Sequence, residues 1–407
     1  MTIFNWGRNF ELGHVSHYPE EWAQVQQLVS NQTCRVIGGA HSFWYPDCSI
    51  PTNISLAELP IHMEVDSLTM KIRVEGNPTL GTLAIWADQQ GLALPYLPSS
   101  LNFSLAGALQ TWTHGSGIQA ASLGAQVTDI EMITPTGPLS SSGNGISPDV
   151  LLGTVGTIGV VKSVELQLEK QFLVKQTMYR EIDFNDVIAR PELFRNLGYS
   201  VSVFLDVRNG RTKGVLVKDK ETGHLSTSAH DSSQADGISR EGFFPGGSSA
   251  SNHSTFSDGL QLSHLSLPHF VHGCLPEPGS ELQVETFFSV PSARIFLQAL
   301  CSIDSRFLEI ISTVEIRYSG GDNILLGGSQ GDSVVCIHLA LRPRYQDLPE
   351  FLSLLTSMTI ANQGRPHLGK LFGYSDISDW LRFFPRFSEY LELKKELDPK
   401  ERLPRLG

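Results

Sequence analysis

The sequence predicts an α+β protein of two or three domains. Its 407 residues, at roughly 150 per domain, set that count. Residues 1–170 alternate strand and helix with Gly-rich joints, and residues 171–360 alternate strands with turn signals. With 41% hydrophobic and 18% charged residues, 37 Gly and 22 Pro, the chain is globular and loop-rich, and whole-chain disorder is excluded.

Taken in order, HYPEEWAQVQQLVS (17–30) predicts a helix, with Pro19 and two Glu in its first turn. CRVI (34–37) predicts a short buried strand that runs into GGAHSF. TMKIRVE (69–75) alternates as a strand, and TLGTLAIWADQQ (79–90) predicts an amphipathic helix stopped by Gly91. Residues 92–117 are small and turn-forming. Strands are expected at 127–134 and 160–168. Beyond 170, strands are expected at 176–184, 200–207 and 213–218 around an Asn209-Gly210 hairpin signal, then at 281–289, 311–318 and 332–341. Helices are expected at 291–301, 345–358 and 376–396. The Ser-, Gly-, Asp- and His-rich stretch 219–265 reads as a long irregular loop.

Several function classes fall away. Thirty basic against 42 acidic residues leave a net charge of −12, the wrong sign for a wholesale nucleic-acid binder. The five cysteines (Cys34, Cys48, Cys274, Cys301, Cys336) form no CxxC pair, so zinc-ribbon and thioredoxin readings fail. No HExxH or EF-hand pattern occurs, and no metal is expected. No run of 18 apolar residues and no secretory signal is visible, so a cytoplasmic chain without membrane insertion is expected.

Four constellations can carry chemistry. In Arg35-Val-Ile-Gly38-Gly39-Ala40-His41-Ser42, a strand enters a turn without bulky side chains, where free N–H groups can cradle a diphosphate and His41 offers a nucleophilic ring nitrogen. Ser104-Leu-Ala-Gly107 and Thr113-His114-Gly115-Ser116-Gly117 would let backbone approach a flat ligand. Glu315 and Arg317 alternate on one strand and so share a face; His338 lies on the next strand, and Gln283 can join them, making a polar patch in an apolar wall. Arg365-Pro-His-Leu-Gly-Lys370 is a constrained loop ending on a lysine. Each also has a bland reading: a surface turn, a Gly/Ser loop around a buried histidine, a structural ion pair with a core histidine, and an exposed turn. Gly327-Gly-Ser329-Gln-Gly331 fits the nucleophile elbow of serine hydrolases, but a strand rather than a helix is expected after it. Gly153-x-x-Gly156-x-x-Gly159 is not the GxGxxG dinucleotide fingerprint.

Together these motifs resemble the FAD-linked alditol oxidases and their aldonolactone oxidase relatives, of vanillyl-alcohol-oxidase type. The resemblance runs nearly end to end: NWGRN at 5–9, RVIGGAHSF at 35–43, GLALPYLPSS at 91–100, SLAG and THGSG within 104–117, GTIGVV at 156–161, LPHF at 267–270, ELQVE at 281–285, VEIR at 314–317, IHL at 337–339 and RPHLGK at 365–370. It implies a two-part FAD-binding domain (1–170, with 361–407 returning to it and supplying Lys370) and a substrate or cap domain (171–360) built on a large antiparallel sheet covered by helices.

It further implies that His41 bonds covalently to the 8α-methyl of FAD. Arg35, Gly38, Gly39, Ala40, Ser42, Ser99, Ser104, Gly107, Thr113, His114, Gly115, Ser116 and Val160 would hold the rest of the cofactor. Gln283, Glu315, Arg317, Ser99 and Lys370 would bind substrate. His338, Lys370 and Arg317 would be catalytic, with His338 taking the hydroxyl proton as hydride leaves for flavin N5. The implied activity is oxidation of a primary alcohol of a polyol, with O2 as acceptor and hydrogen peroxide as product; the alternative is an aldonolactone oxidase or dehydrogenase, and further off a flavin binder without turnover. Four positions depart from the family pattern. Ala40 replaces Gly before the flavin-linking histidine, and Trp112 replaces Gly and should crowd its loop. Pro98 stands where the family has a small residue beside the flavin edge that dioxygen must approach, which leaves a dehydrogenase using another acceptor open. Ala340 replaces a hydroxyl-bearing residue that faces the polyol.

Overall fold

The computed structural model describes residues 2–46, 49–119, 121–221, 254–257, 260–269, 277–373 and 377–406. Near the N-terminus, Val15–His17, Asn53–Ser55 and Arg35–Ile37 form a parallel three-stranded sheet with Asn53–Ser55 in the middle. A second, antiparallel sheet runs in the order Gly137–Ser140, Val127–Thr134, Val160–Gln167, Lys71–Glu75, His62–Asp66. Its apolar positions (Ile72, Val74, Ile130, Met132, Val164, Leu166) share a core with the helices Leu80–Gln89 and Leu105–Gln110. Thr79 caps the first of these through its side-chain oxygen, and Gly91 follows it at φ +73°, the left-handed stop that glycine takes without strain.

The largest sheet is antiparallel throughout. Among the described residues its order is Ser254–Ser257, Leu173–Tyr179, Arg211–Glu221, Ser200–Asp206, Ile311–Ser319, Val334–Leu341, Leu282–Phe288, Arg365–Pro366, with Gln261–Leu262 also on Leu173–Tyr179. Strand alternation divides its side chains between two faces. Val284, Phe288, Val314, Ile316, Ile337 and Leu339 pack under the helices Val290–Leu300 and Leu348–Ala361. Gln283, Glu285, Glu315, Arg317 and His338 alternate with them and occupy the other face. Roofing helices on one face and a polar row on the other follow from the same period of two.

Several sequence expectations shift. The first helix is Trp22–Asn31, with Glu21 in a capping box, because Val15–His17 is already committed to the parallel sheet. The strand expected at 176–184 is Leu173–Tyr179, and a helix, Phe184–Ala189, follows, capped by Asp183. The tail is two helices, Ile377–Phe383 and Phe387–Leu397, broken at Pro385. The hairpin at Asn209-Gly210 forms, with Gly210 at φ +57°. Of the stretch read as a loop, Arg211–Glu221 extends the hairpin strand, Gln261–Leu262 pairs with the sheet, and residues 222–253 lie outside the described residues.

The tail packs against the N-terminal third. Trp380, Phe387 and Tyr390 join the core of the second sheet. Lys394 Nζ donates to Thr157 O at 2.6 Å and pairs with Asp398 at 2.6 Å, and Cys34 N donates to Arg402 O at 2.8 Å. No helix among the described residues is long and apolar enough to cross a membrane.

Candidate active site

The strand Arg35–Ile37 lies at the edge of its sheet, and Arg35 is tied down by two bonds to Asn53 Oδ1 at 3.1 and 3.0 Å. The chain then enters the Gly38–Ser42 turn. A Cβ at Gly38 would strike the Ser104 hydroxyl, and one at Gly107 would stand 2.8 Å from the same oxygen. The 38–42 turn and the 104–107 loop therefore close on each other only because both carry glycine. Ala40 sits at φ +54°, in the left-handed region from which backbone anion nests are built. The N-terminal segment clamps this turn. Trp6 N donates to Ala40 O at 2.7 Å, Asn5 Nδ2 to Ser42 O at 2.9 Å and Asn9 Nδ2 to Phe43 O at 2.9 Å.

Arg35, Gly38, Gly39, Ala40, His41, Ser42, Ser99, Ser104, Gly107, Thr113, His114 and Val160 all line one elongated cleft, with Arg317 and Lys370 at its other wall. Gly115 and Ser116 stand behind the lining, and the Ser116 hydroxyl is spent on Val201 O. His41 packs edge-on to Phe103 with ring centroids 5.1 Å apart. Burial, and then the nearby Lys370 charge, hold its pKa below the ordinary histidine value, so its ring is neutral at neutral pH.

The polar wall comes from three neighbouring strands. Glu285 and Glu315 both stand opposite His338 in the sheet register, so the three form one row. Arg317 lies one step along and donates to Glu285 Oε1 at 2.5 Å, with its Nε 3.7 Å from Glu315 Oε1. His338 Nδ1 lies 3.9 Å from Glu315 Oε2. Lys370 arrives from a loop fastened to this sheet: His367 N donates to Glu285 O at 2.9 Å and Leu371 N to Gln283 O at 2.8 Å. Its ammonium donates to Gln283 Oε1 and lies 5.5 Å from the centre of the Phe43 ring. Phe43 N in turn donates to Gly369 O at 3.0 Å, which links the His41 turn to the lysine loop.

The electrostatics sort these groups. Burial opposes ionisation of Glu315, but Arg317 and then His269 outweigh it and hold the carboxyl well below the usual range. Glu285 is likewise held low, by Arg317 and then His114, against its burial. Burial pushes His338 down to about 4, leaving a neutral imidazole beside two carboxylates, and it also lowers Lys370. The site thus offers fixed positive charge, fixed negative charge and a neutral proton acceptor within one wall.

Glu285 was not singled out in the sequence. Its signal was there: Glu281, Gln283 and Glu285 alternate on one face of a strand whose other positions are apolar. His269, which bonds Glu315 Oε1 at 2.9 Å, and His367 were also missed as individual residues. His114, Glu285 and His367 bring ligand atoms within 4.8 Å of one another. The Arg317 guanidinium already rests on that carboxylate, a permanent positive charge where a metal cation would have to sit.

The serine-hydrolase reading fails on packing. Ser329 is fully buried, and its hydroxyl accepts from Asp322 N at 2.8 Å. A strand, Val334–Leu341, follows it. The glycines of that motif make room for Trp112: a Cβ at Gly328 would lie 2.6 Å from its ring, and the indole Nε1 donates to both Asp322 carboxylate oxygens at 2.9 Å. The second half of the chain supplies the pocket for the Trp112 ring, and the strain expected of tryptophan in place of glycine lies in the backbone instead, where Trp112 sits at φ +55°.

The cleft fits a flavin dinucleotide on these observations. Among the described residues, Glu285 Oε2 and Arg317 Nε are buried without a hydrogen-bond partner, and such groups call for polar atoms from a bound molecule. The glycine-lined turn lets backbone N–H groups approach a pyrophosphate.

Comparison with known proteins agrees. Residues 16–142 match the family model "FAD binding domain", and residues 283–404 match "D-arabinono-1,4-lactone oxidase". An alditol oxidase of Streptomyces sp. is 28% identical over 98% of this chain and 96% of its own length. An L-gulonolactone oxidase of Mus musculus is 23% identical over 97% of this chain and 94% of its own. A solvent-stable cholesterol oxidase shares the fold, with a TM-score of 0.75 at 13% identity, covering 99% of this chain and 96% of that one.

Proposed function

Since this chain belongs to the FAD-linked family of the alditol and aldonolactone oxidases, we propose that it oxidises a primary alcohol of a polyol at the wall formed by Gln283, Glu315, Arg317, His338 and Lys370. The protein is an FAD-dependent oxidoreductase acting on CH–OH groups. The observation that carries the substrate reading is the row Glu285–His338–Glu315 with Arg317 and Lys370 beside it: a dense set of hydroxyl partners that reaches the flavin cleft through Glu285, Arg317 and Lys370. FAD, when bound, supplies the acceptor for the hydride that leaves the alcohol carbon.

The chain's own residues do the rest. Glu315 accepts a hydrogen bond from a substrate hydroxyl, while Ser99 and Gln283 hold others. His338, neutral, takes the reacting hydroxyl proton at Nε2, the nitrogen turned away from Glu315. Arg317 and Lys370 stabilise negative charge as the proton and hydride depart. Arg35, Gly38, Gly39, Ala40, Ser42, Ser99, Ser104, Gly107, Thr113, His114, Gly115, Ser116 and Val160 serve the cofactor. We assign the FAD-binding part to 1–170 with 361–407, the cap to 171–360, and residence to the cytoplasm.

We assign the covalent flavin link to His41. Its neutral ring at the cleft wall supports that role. His41→Ala should keep its fold and take up FAD, yet release the yellow colour on acid precipitation, whereas wild type retains it in the pellet. Colour retained by the variant would remove His41 from that role.

The functional test is anaerobic bleaching of the flavin near 450 nm by polyols, aldonolactones and aliphatic alcohols. Fastest bleaching by a polyol is expected. No bleaching by any of them would leave a flavin binder without turnover. The lactone reading keeps one specific support: Ala340, opposite Gln283 in the sheet, offers no hydroxyl to a long polyol. Pro98 lines the cleft and is buried, and a bulky ring there obstructs dioxygen. Pro98→Ala should speed reoxidation by O2, with its hydrogen peroxide product, about tenfold, a barrier change of roughly 1.4 kcal/mol. Stopped-flow mixing of the reduced protein with oxygenated buffer measures it, and an unchanged rate would place the acceptor's path elsewhere.

A further inference from the structure

Lys218 is the least expected charge in the molecule. It lies on Arg211–Glu221, the strand next to Ser200–Asp206, which itself borders the Glu315 strand, and only 1% of its surface is exposed. It makes no ion pair among the described residues. Its ammonium donates to Leu267 O at 2.6 Å and approaches His269 Nδ1 at 3.5 Å. The other nitrogen of that ring, Nε2, lies 2.9 Å from Glu315 Oε1 and 3.3 Å from Ser202 Oγ. Burying an ammonium without a carboxylate on it is costly, so its position calls for a reason beyond packing.

We propose that Lys218 and His269 form a buried relay behind Glu315 that fixes the orientation of its carboxylate for a substrate hydroxyl. Both act as positioning residues, and the proposal rests on the polyol reading above. An ammonium only donates and an ionised carboxylate only accepts, so together they select one histidine tautomer: bare Nδ1 toward Lys218, Nε2–H toward Glu315. That bond occupies Oε1, with Arg317 Nε 3.7 Å away, and leaves Oε2 on the side of His338.

The relay carries a pH signature. Burial pushes Lys218 down to about 7, with Glu315 acting in the opposite sense and Arg317 adding to the fall. Below that value the ammonium fixes the tautomer. Above it the neutral amine can accept as well as donate, so only Glu315 still favours Nε2–H and the ring's hold on the carboxylate loosens. Polyol affinity should therefore fall as pH rises through the neutral range. Four of the other charged groups around this cluster hold one charge state across that range. Arg317 stays charged, His338 lies near 4 and is already neutral there, and Glu285 and Glu315 are ionised throughout. Burial lowers Lys370, but its ammonium is bonded to Gln283 and not to this ring.

The test uses the FAD-loaded protein and the variants Lys218→Met, His269→Leu and His269→Gln. Nitrogen-15 NMR of histidine-labelled protein, with His269 assigned by its absence in His269→Leu, reads the tautomer without substrate. At pH 6 a bare Nδ1 and a protonated Nε2 are expected, lost or averaged in Lys218→Met. The bleaching assay with the fastest polyol should show the half-saturating concentration raised about tenfold in Lys218→Met and His269→Leu, as for loss of a hydrogen bond to a charged group. The limiting rate should fall much less, and the pH dependence near 7 should disappear. His269→Gln, which keeps an N–H donor, should recover much of the affinity. Wild-type half-saturation in Lys218→Met at both pH 6 and pH 8, or a protonated Nδ1 in wild type at pH 6, would overturn the relay. If no polyol or lactone bleaches wild type, the functional reading fails, and the nitrogen signals still decide the relay.

Discussion

Replacing His338 by alanine should lower the limiting rate of anaerobic flavin bleaching by about 10²- to 10⁴-fold, the range spanned by a positioned general base. The half-saturating polyol concentration should change far less, because Glu315, Gln283 and Lys370 still grip the hydroxyls. The reason lies in the environment of the ring. His338 stands between Glu285 and Glu315 in the sheet, yet burial dominates and its pKa falls to about 4. A base must be unprotonated to act, so the wild-type limiting rate should be flat through neutrality and decline only as pH drops through that value. An unperturbed histidine would place the decline near 6.5. Stopped-flow bleaching between pH 4 and 8 measures the curve. A decline centred near 6.5, or a His338→Ala variant that bleaches at the wild-type limiting rate, would assign the proton to another group.

Much of the site was legible because strands alternate. Glu315 and Arg317 could be placed on one face of a strand from their spacing alone, and the register sets His338 of the next strand opposite Glu315. The His41 turn was legible for a different reason: glycine removes side chains at Gly38 and Gly107, where Ser104 leaves no room for one. What the sequence hid was long-range partnership. Trp112 looked too large for its loop because Asp322 and the glycines that receive it lie some two hundred residues further on. Lys218 read as an ordinary strand residue, since nothing local marks a lysine that will be sealed behind a histidine from a distant loop. Glu285 sat in view but was masked by its neighbour Gln283, which carried the family resemblance.

Arg317→Met should be the most damaging single change to stability in this wall. The guanidinium is the largest favourable influence on both Glu285 and Glu315, and Glu285 is 1% exposed. Removing it leaves a buried carboxylate facing His114 and His367 and a second carboxylate facing His269 and His338. Breaking a buried pair by deleting one partner typically costs about 3–5 kcal/mol. The loss should be pH-dependent with a definite sign. In wild type the folded-state pKa of Glu285 is depressed, so its contribution is present above the ordinary carboxylate range and fades as pH falls. Without Arg317, burial prevails and the folded-state pKa rises above the unfolded one. The variant then gains relative to wild type as acid neutralises the carboxyl, and its deficit should shrink from pH 7 to pH 5. Glu285→Gln in the same chain should restore part of the stability at pH 7, because it removes the stranded charge while keeping the shape. Denaturant unfolding of the FAD-loaded proteins at both pH values measures all three. A deficit that is equal at both pH values, or no recovery in the double variant, would show that packing rather than charge holds this wall together.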